Sequence, residues 1–460
     1  MKKSFSIFLL IAMFFTLFTA CSGESKTPED KVPVETTTVK DMGGAVFTLG
    51  SIDLHEFKID TAVSGPGDKM MARYAEISNA YNCTIDFVQT EGTNESGEVI
   101  TMIAAGRKVP DFYDMKAVSV YDLYKEGLLQ NYKELKNLDI TSTRWGTEAF
   151  LKQVNYGDGI YGIWPNDWDN PVPQMGDILL MNNLMLTAGN VTSPYELLEQ
   201  GTWTWNTFSD MLKQLTVVEE SKTVYGLASH TKDILVNTAI YSNGGEKVKL
   251  VNGKYVFGYT DANALEAINW TKSLFDAGVI AANGGTPEQF SAEEAVFLIC
   301  DSWIGTADVF ALIPWLPLNT LDNFGWMPFP YGPKGEYGSW NALSYPNQRF
   351  FAMIPTDNSP EDIALIMNVM FAPLEGSGPE GWKAYAKRQM FYDDQSFSNF
   401  TSLIENIKCE YSAILGQSVI DQINAGLNKA VSNTETATAS LAAIEGIVNT
   451  KLDTELNNIG

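Results

Sequence analysis

The sequence predicts an α/β fold of mainly parallel sheets flanked by helices. Short apolar strands alternate with amphipathic helices, and Ser-Pro pairs and glycines mark where several helices begin and end. The chain has 460 residues, which is enough for two halves with separate cores. In sheets of this kind, ligands bind outside the carboxyl ends of the strands. We therefore expect a site in the loops that follow the strands.

The N-terminus has the layout of a secretory signal over residues 1–20. Its apolar run, residues 5–18, is shorter than the roughly 20 residues that span a bilayer. The segment FTAC (18–21) resembles a bacterial lipobox, which implies cleavage before Cys21 and a lipid on its thiol. Residues 21–43 are rich in Ser, Thr, Pro, Glu and Lys, and this composition predicts a flexible tether. A cleaved signal without lipid is the alternative.

Three strands separated by two helices are predicted for the first part of the folded chain. The strands are expected at residues 45–52, 83–91 and 109–115. Glu91 closes the second strand and Asp114 lies at the end of the third. Both acids are therefore expected at the mouth of a site, with a solvated loop acid as the alternative for Glu91.

Capping residues mark the later helices. Ser193 and Pro194 predict a capping box, Thr204 is expected to cap the next helix, and Asp261 and Ser359 are expected to open two more.

The formal net charge of −25 opposes binding to phosphate backbones, so no nucleic-acid partner is expected. Apart from the lipobox cysteine, three widely spaced cysteines and two histidines offer no pattern for a metal site, and no cofactor is implied. Cys83, Cys300 and Cys409 are predicted to be unpaired thiols, with one disulfide among them as the alternative.

Eight segments resemble, in order, the family 1 extracellular solute-binding proteins, the class that includes maltose-binding protein. They are IAAGRKVPDFYDM (103–115), GDGIYGIWP (157–165), ILLMNNLML (178–186), GTWTWNTFSDMLKQLT (201–216), AINWTKSLFDAGVI (267–280), EEAVFLICDSWIG (293–305), FGWMPFPYGPKG (324–335) and PNQRFFAMIPTDNSPEDIALIMNVMF (346–371). The resemblance covers roughly residues 44–375 and depends on the order of the segments, because each motif alone is weak.

The resemblance implies a two-lobed fold of the type II periplasmic-binding-protein kind, with the ligand cleft between the lobes. One lobe is expected to contain residues 44–172 and 346–375, and the other residues 173–345 and 376–460. It implies an extracytoplasmic protein that binds a carbohydrate and passes it to ABC permease subunits. Together with the lipobox, this predicts a lipid-anchored protein on the cell membrane, and we expect a monomer. No enzyme is expected, because the sequence has no GxSxG or HExxH motif.

A loop rich in indoles and acids is the first candidate for sugar contact. Sugars need flat rings under their C–H faces and carboxylates or amides at their hydroxyls. The loop WPNDWDN has this composition and lies at the expected hinge, with packing of the lobe junction as the alternative. Its candidate residues are Trp164, Asp167, Trp168 and Asp169.

Further candidates follow strands or the glycine-rich loop near residue 338. Asp301 and Trp303 come after an apolar strand, with helix capping and packing as their alternatives. Trp340 and Asn341 lie in the segment that leads back to the first lobe. Arg349 is left open between recognition of an acidic sugar and surface pairing.

Other functions remain possible on sequence grounds. A binding protein for a peptide or a polyamine, or one that serves a membrane sensor, fits the same fold. A secreted glycan-active enzyme is a third alternative, because two of 56 acids could flank a glycosidic bond.

Overall fold

The strands and helices are those of a computed structural model that describes residues 39–54, 57, 67–90, 94–168, 172–220, 222–305, 323–338, 342–374, 378 and 380–457. The strands are β1 Ala45–Ser51, β2 Cys83–Gln89, β3 Phe112–Lys116, β4 Asn155–Tyr156, β5 Gly159–Ile160, β6 Met175–Gly176, β7 Ile178–Asn182, β8 Val217–Val218, β9 Thr223–Ser229, β10 Val248–Val251, β11 Lys254–Phe257, β12 Ala295–Cys300, β13 Phe324–Met327, β14 Leu343–Ser344 and β15 Arg349–Met353.

The helices are α1 Gly67–Tyr81, α2 Glu95–Ala104, α3 Ala117–Lys125, α4 Glu148–Leu151, α5 Asn183–Ala188, α6 Pro194–Glu199, α7 Trp205–Leu215, α8 Lys232–Ser242, α9 Ala262–Asp276, α10 Pro287–Ser291, α11 Pro360–Met370, α12 Gly381–Gln389, α13 Asp394–Glu405, α14 Ser412–Leu415, α15 Gln417–Val431 and α16 Ala437–Leu452. In the part of the chain given above, none of them is long and apolar enough to cross a membrane.

The first sheet has the strand order β15-β3-β1-β2. Strand β1 pairs in parallel with both β2 and β3, which confirms the three strands predicted from the sequence. Strand β15 returns from much later in the chain and pairs antiparallel to β3. The carboxyl ends of β1, β2 and β3 therefore share one edge, as the predicted site requires.

The second sheet has the order β13-β7-β12-β9-β8. Only β12 and β9 pair in parallel within it, whereas β13–β7, β7–β12 and β8–β9 are antiparallel. The α/β class is as predicted, but this sheet is mixed instead of mainly parallel. The parallel pair still places the segments after β9 and β12 side by side.

Alternating side chains of the strands belong to different buried clusters. In β7, Leu179 packs in one cluster and Leu180 in another, and in β15 Phe350 and Phe351 divide in the same way. This follows from the two-residue period of a strand, which sends neighbouring side chains to opposite faces. The cluster that contains Leu180 and Phe350 draws on both sheets, so the two halves share part of their core.

Two short strands carry the chain between the sheets. Strand β6 directly precedes β7, and strand β14 precedes β15. Strands β6 and β14 pair with each other in antiparallel orientation. The side-chain Oε1 of Gln348 accepts a hydrogen bond from the backbone N–H of Gln174 at 2.8 Å. The crossing segments are thus joined by both main-chain and side-chain bonds.

The helix ends agree in part with the sequence. Thr204 caps α7 in a capping box with Thr207, whereas Ser193 makes no side-chain cap bond, so the capping box predicted there is wrong. Asp261 and Ser359 precede α9 and α11 as predicted, again without a side-chain cap bond. Cys83, Cys300 and Cys409 are free thiols, which confirms that prediction.

Candidate functional site

The carboxyl edge of the first sheet carries a hydrogen-bonded group of polar side chains. Ser51 ends β1 and lies opposite Asp114 in the parallel register of β1 and β3. Its hydroxyl donates to Oδ2 of Asp114 at 2.8 Å. Thr90, directly after β2, donates its backbone N–H to the carbonyl of Ser51 at 3.0 Å. Three strand ends therefore meet at one polar edge.

Arg349 contributes a positive charge to this edge and binds two acids. Its Nε donates to Oδ2 of Asp114 at 2.7 Å and its Nη1 to Oε1 of Glu95 at 2.8 Å. Both acids are almost fully buried, with 2% and 1% of their surface exposed. Arg349 is therefore committed to internal acids, which corrects both the surface pairing and the recognition of an acidic sugar considered from the sequence.

Burial and charge act in opposite directions here. Burial raises the pKa of Asp114, while the charge of Arg349 and the hydrogen bonds from Arg349 and Ser51 lower it. Burial lowers the pKa of Arg349, but Asp114 and Glu95 more than offset this and raise it above its ordinary value. Asp114 thus lies at the predicted edge, where its described role is to hold Arg349.

On the second sheet, the two parallel strands end beside one another. Ser229 of β9 is paired with Ile299 of β12. His230 follows Ser229 by one residue and Asp301 follows Ile299 by two, so the two side chains leave the sheet close to each other. The backbone N–H of His230 donates to the carbonyl of Ile299 at 2.9 Å. Nδ1 of His230 lies 3.6 Å from Oδ2 of Asp301, and the two side chains are 32% and 14% exposed.

Trp303 lies in the single helical turn Ser302–Gly305 that follows Asp301. Its ring meets that of His230 edge to face, with centroids 6.2 Å apart and planes at 79°. Ser302 fixes the turn, because its hydroxyl accepts the backbone N–H of Met175 in β6 at 3.0 Å. The helical turn that carries the indole is therefore hydrogen-bonded to a crossing strand.

Tyr345 extends this group from the other crossing segment. Burial is the main cause that raises the pKa of its hydroxyl to about 12, and the charge of Asp301 adds to it. Hydrogen bonds with Asn347 and Trp303 act in the opposite direction. Asp301, Trp303, His230 and Tyr345 thus form one partly exposed group. It contains one carboxylate, one indole, one imidazole and one phenol.

The indoles of the WPNDWDN loop are core residues, which corrects their prediction as a sugar platform. Trp164 is 2% exposed and packs on Phe150, with ring centroids 5.9 Å apart. Trp168 is 1% exposed and packs edge to face on Phe371 at 5.4 Å. The two rings belong to two different buried clusters, so each of them fills space in the core.

Asp167 has a structural role as well. Its Oδ2 lies 3.4 Å from Nε of Arg144, and its Oδ1 accepts the backbone N–H of Glu380 at 3.2 Å. Only 16% of its side chain is exposed. Asp169, Glu91, Trp340, Asn341 and Cys21 lie outside the described residues.

Sequence reasoning missed three members of these groups. Ser51, His230 and Tyr345 were not candidates, because residues at strand ends were considered only where they are acids or indoles. The strand VYGLAS ends directly before His230, as AVFLIC ends before Asp301, so the shared position after an apolar strand was the signal available.

Two surface cavities lie away from these strand-end groups. A cavity of about 730 Å³ is lined by residues such as Tyr195 and Asp393, and one of about 540 Å³ by Trp270 and Tyr331. Neither includes the strand-end groups. The candidate site is therefore identified by its side chains and their position in the fold. Rings beside acceptors can hold a polyol without any reacting group.

Solved structures with the same fold cover nearly the whole chain. The GacH receptor of Streptomyces glaucescens, solved unliganded and with acarbose, is 14% identical with a TM-score of 0.60, over 89% of this chain and 99% of that one. The cyclic α-maltosyl-1,6-maltose binding protein of Arthrobacter globiformis is 13% identical with a TM-score of 0.65, over 90% and 100%.

The sugar-binding protein MalE of Xanthomonas citri is 12% identical with a TM-score of 0.62, over 90% of this chain and 100% of that one. No protein-family model and no curated protein matches the sequence. At these identities the likeness concerns the fold. The chain has the two-lobed α/β fold of these binding proteins.

Proposed function

We propose that this protein is the extracytoplasmic substrate-binding lipoprotein of an ABC importer and that it binds a carbohydrate by lobe closure. The observation that carries this proposal is the group formed by Asp301, Trp303, His230 and Tyr345 at the strand ends of the second sheet. The group lies in a fold that, in the proteins compared above, binds maltosyl sugars and acarbose.

The proposed division into lobes follows the crossing strands. One lobe contains residues 44–172 and 346–375, and the other residues 173–345 and 376–460, so β6 and β14 lie at or next to the boundaries. Closure is a hinge motion about these segments. It brings the polar edge of Asp114 and Arg349 toward the indole of Trp303.

The roles within the proposed site follow from chemistry. The ring of Trp303 offers a flat face to a pyranose, and Asp301 accepts hydrogen bonds from sugar hydroxyls. Glu91, Asp169, Trp340 and Asn341 are proposed as further contacts. The protein makes and breaks no bond in this proposal; its work is to bind, to close and to release the sugar to the permease.

Attachment to the membrane is proposed to depend on Cys21. Two acyl chains on one cysteine hold a protein firmly, whereas a single chain does not. A monomer tethered through residues 21–43 can reach the permease subunits. Replacement Cys21→Ser is expected to move the protein from the membrane fraction to the medium, and retention in the membrane would contradict the anchor.

A thermal-shift panel tests the ligand class. Purified protein is mixed with neutral oligosaccharides, peptides and polyamines, and a true ligand at 100 times its Kd adds about 2.7 kcal/mol to the free energy of unfolding. Asp301→Asn and Trp303→Ala are expected to abolish the shift, whereas Asp210→Asn, at an exposed aspartate, retains it.

Other outcomes of the panel decide between the alternatives. Stabilisation by peptides or polyamines, with none by sugars, would replace the carbohydrate in the proposal. Release of reducing ends from any oligosaccharide would indicate an enzyme instead of a binding protein. A shift that survives both substitutions would place the site elsewhere.

A further inference from the structure

The surroundings of His230 distinguish it from the other members of the second-sheet group. Its Nδ1 is buried and has no hydrogen-bond partner among the described residues. The 3.6 Å between Nδ1 and Oδ2 of Asp301 is longer than a hydrogen bond. The main chain of His230 is fixed by its bond to Ile299, so the ring position is set by the sheet.

We infer that His230 is a third ligand-contacting residue on this edge and that its protonation weakens sugar binding by engaging Asp301. This inference rests on the proposed function. Trp303, Asp301 and His230 together form a corner in which one indole face, one carboxylate and one imidazole adjoin. A neutral imidazole leaves Oδ2 of Asp301 available to a sugar hydroxyl.

Protonation changes the balance between Asp301 and the sugar. Imidazolium attracts the carboxylate, and a gap of 3.6 Å closes to hydrogen-bond length with a small movement of either side chain. The imidazolium then occupies one acceptor position of Oδ2, and a sugar hydroxyl must compete for that position. Histidine is the side chain that changes charge between about pH 5 and pH 8.

Asp301 also acts on two other ionisable groups nearby. Asp177, between β6 and β7, is buried, and burial followed by the charge of Asp301 raises its pKa well above the ordinary value. Tyr345 interacts with Asp301 in the same way. Lys232, two residues after His230, lies over the ring of Phe275 at 5.4 Å instead. Among the residues described, Asp301 is thus the carboxylate that faces His230.

Affinity measured as a function of pH tests the inference. The probes are maltotriose, cellotriose and xylotriose, titrated calorimetrically into the full chain at about pH 7.5 and about pH 5.5. For a sugar that binds, Kd is expected to be about tenfold higher at the lower pH, as for a lost hydrogen bond to a charged acceptor. His230→Gln, which cannot gain a proton, is expected to bind with the same Kd at both values.

His55→Gln removes the chain's other histidine and is the matched control. It is expected to keep the pH dependence of the parent protein, and melting temperatures of all variants at both pH values show that each is folded. Binding with equal Kd at both pH values, or a pH dependence that persists in His230→Gln, overturns the role of His230 and leaves the proposed function intact. If none of the three sugars binds and no sugar of the thermal-shift panel stabilises the protein, both are overturned.

Discussion

Arg349 and Asp114 form an ion pair whose geometry is set by main-chain pairing. In the antiparallel register of β15 and β3, Arg349 lies opposite Lys116, two residues beyond Asp114. From that position its Nε reaches Oδ2 of Asp114 at 2.7 Å. Glu95 at the start of α2 accepts both Nη1 of Arg349 and the backbone N–H of Lys116. Strand pairing and a helix start thus place three charges at the carboxyl edge of the first sheet.

Replacement Arg349→Met is expected to lower the free energy of unfolding by about 3 kcal/mol or more, because two buried acids lose their partner. Without the guanidinium, which lowers the pKa of Asp114, burial alone raises that pKa further. The folded protein then binds more protons than the unfolded chain, so the deficit is smaller at about pH 5 than at about pH 7.5. Urea unfolding at the two pH values measures both effects.

The matched control is Lys213→Met, which breaks the exposed pair of Lys213 with Asp210. It is expected to change stability by less than about 0.5 kcal/mol at either pH. An Arg349 variant as stable as this control would show that the buried acids have other partners.

Substitutions at Trp164 and Trp303 are expected to affect stability and sugar binding differently. Trp164→Ala is expected to cost about 3–5 kcal/mol of stability, because the buried ring leaves a cavity against Phe150. The protein that remains folded is expected to bind sugar with unchanged Kd. Trp303→Ala removes a partly exposed ring and is expected to cost less stability while abolishing binding. Urea unfolding and calorimetry on the same samples measure both quantities, and the reverse pattern would restore Trp164 as a ligand contact.

The fold was predictable wherever local pattern decided it. The three strands around Leu49, Phe87 and Tyr113 follow from apolar runs, and the ends of helices from capping residues and glycines. Asp114, Asp301 and Trp303 were named as candidates because a position at or just after the end of a strand follows from the strand alone. The order of the second sheet depends instead on pairing between distant segments, which local pattern does not contain.

The site was predictable only in part for the same reason. Composition alone could not tell that Trp164 and Trp168 are buried, because their partners Phe150 and Phe371 come from other elements. His230 became a candidate only when β9 paired in parallel with β12 and brought it beside Asp301. Arg349 looked available because Glu95, its second acid, lies far from it along the chain.

Glycine at position 50 is required by the ring beside it. A Cβ on Gly50 would lie 2.6 Å from Cε1 of Tyr113, which is closer than atoms can approach. Gly50→Ala is therefore expected to lower the free energy of unfolding by about 1–3 kcal/mol, as overpacking does.

Gly446→Ala is the matched substitution, because its Cβ meets nothing within 4 Å in the middle of α16. Alanine is expected to stabilise that helix by about 0.5–1 kcal/mol. Urea unfolding measures the change in the free energy of unfolding for each variant. A decrease for Gly50→Ala with an increase for Gly446→Ala confirms the difference, and changes of the same sign would contradict it.

Glu455 joins the turn after α16 to helix α3, which follows strand β3 of the first sheet. It accepts the hydroxyl of Tyr121 at 2.5 Å and Nζ of Lys125 at 2.6 Å, both from α3, and Nζ of Lys451 at 2.8 Å. Burial raises its pKa, but the hydrogen bonds from Lys125, Lys451 and Tyr121 outweigh this and lower it to about 2 from 4.5. The carboxylate form is therefore the form that the folded protein holds.

A lowered folded pKa contributes stability above the unfolded value, and this contribution is lost as the pH falls from about 4.5 toward about 2. Glu455→Gln is expected to be less stable than the parent at neutral pH and to lose less stability over that acidic window. Glu199→Gln, an exposed position on α6, is the control for removal of one charge and is expected to follow the parent. Urea unfolding at several pH values compares the three proteins. If the Glu455 variant and the parent lose stability in parallel on acidification, the carboxylate does not hold the terminal turn against α3.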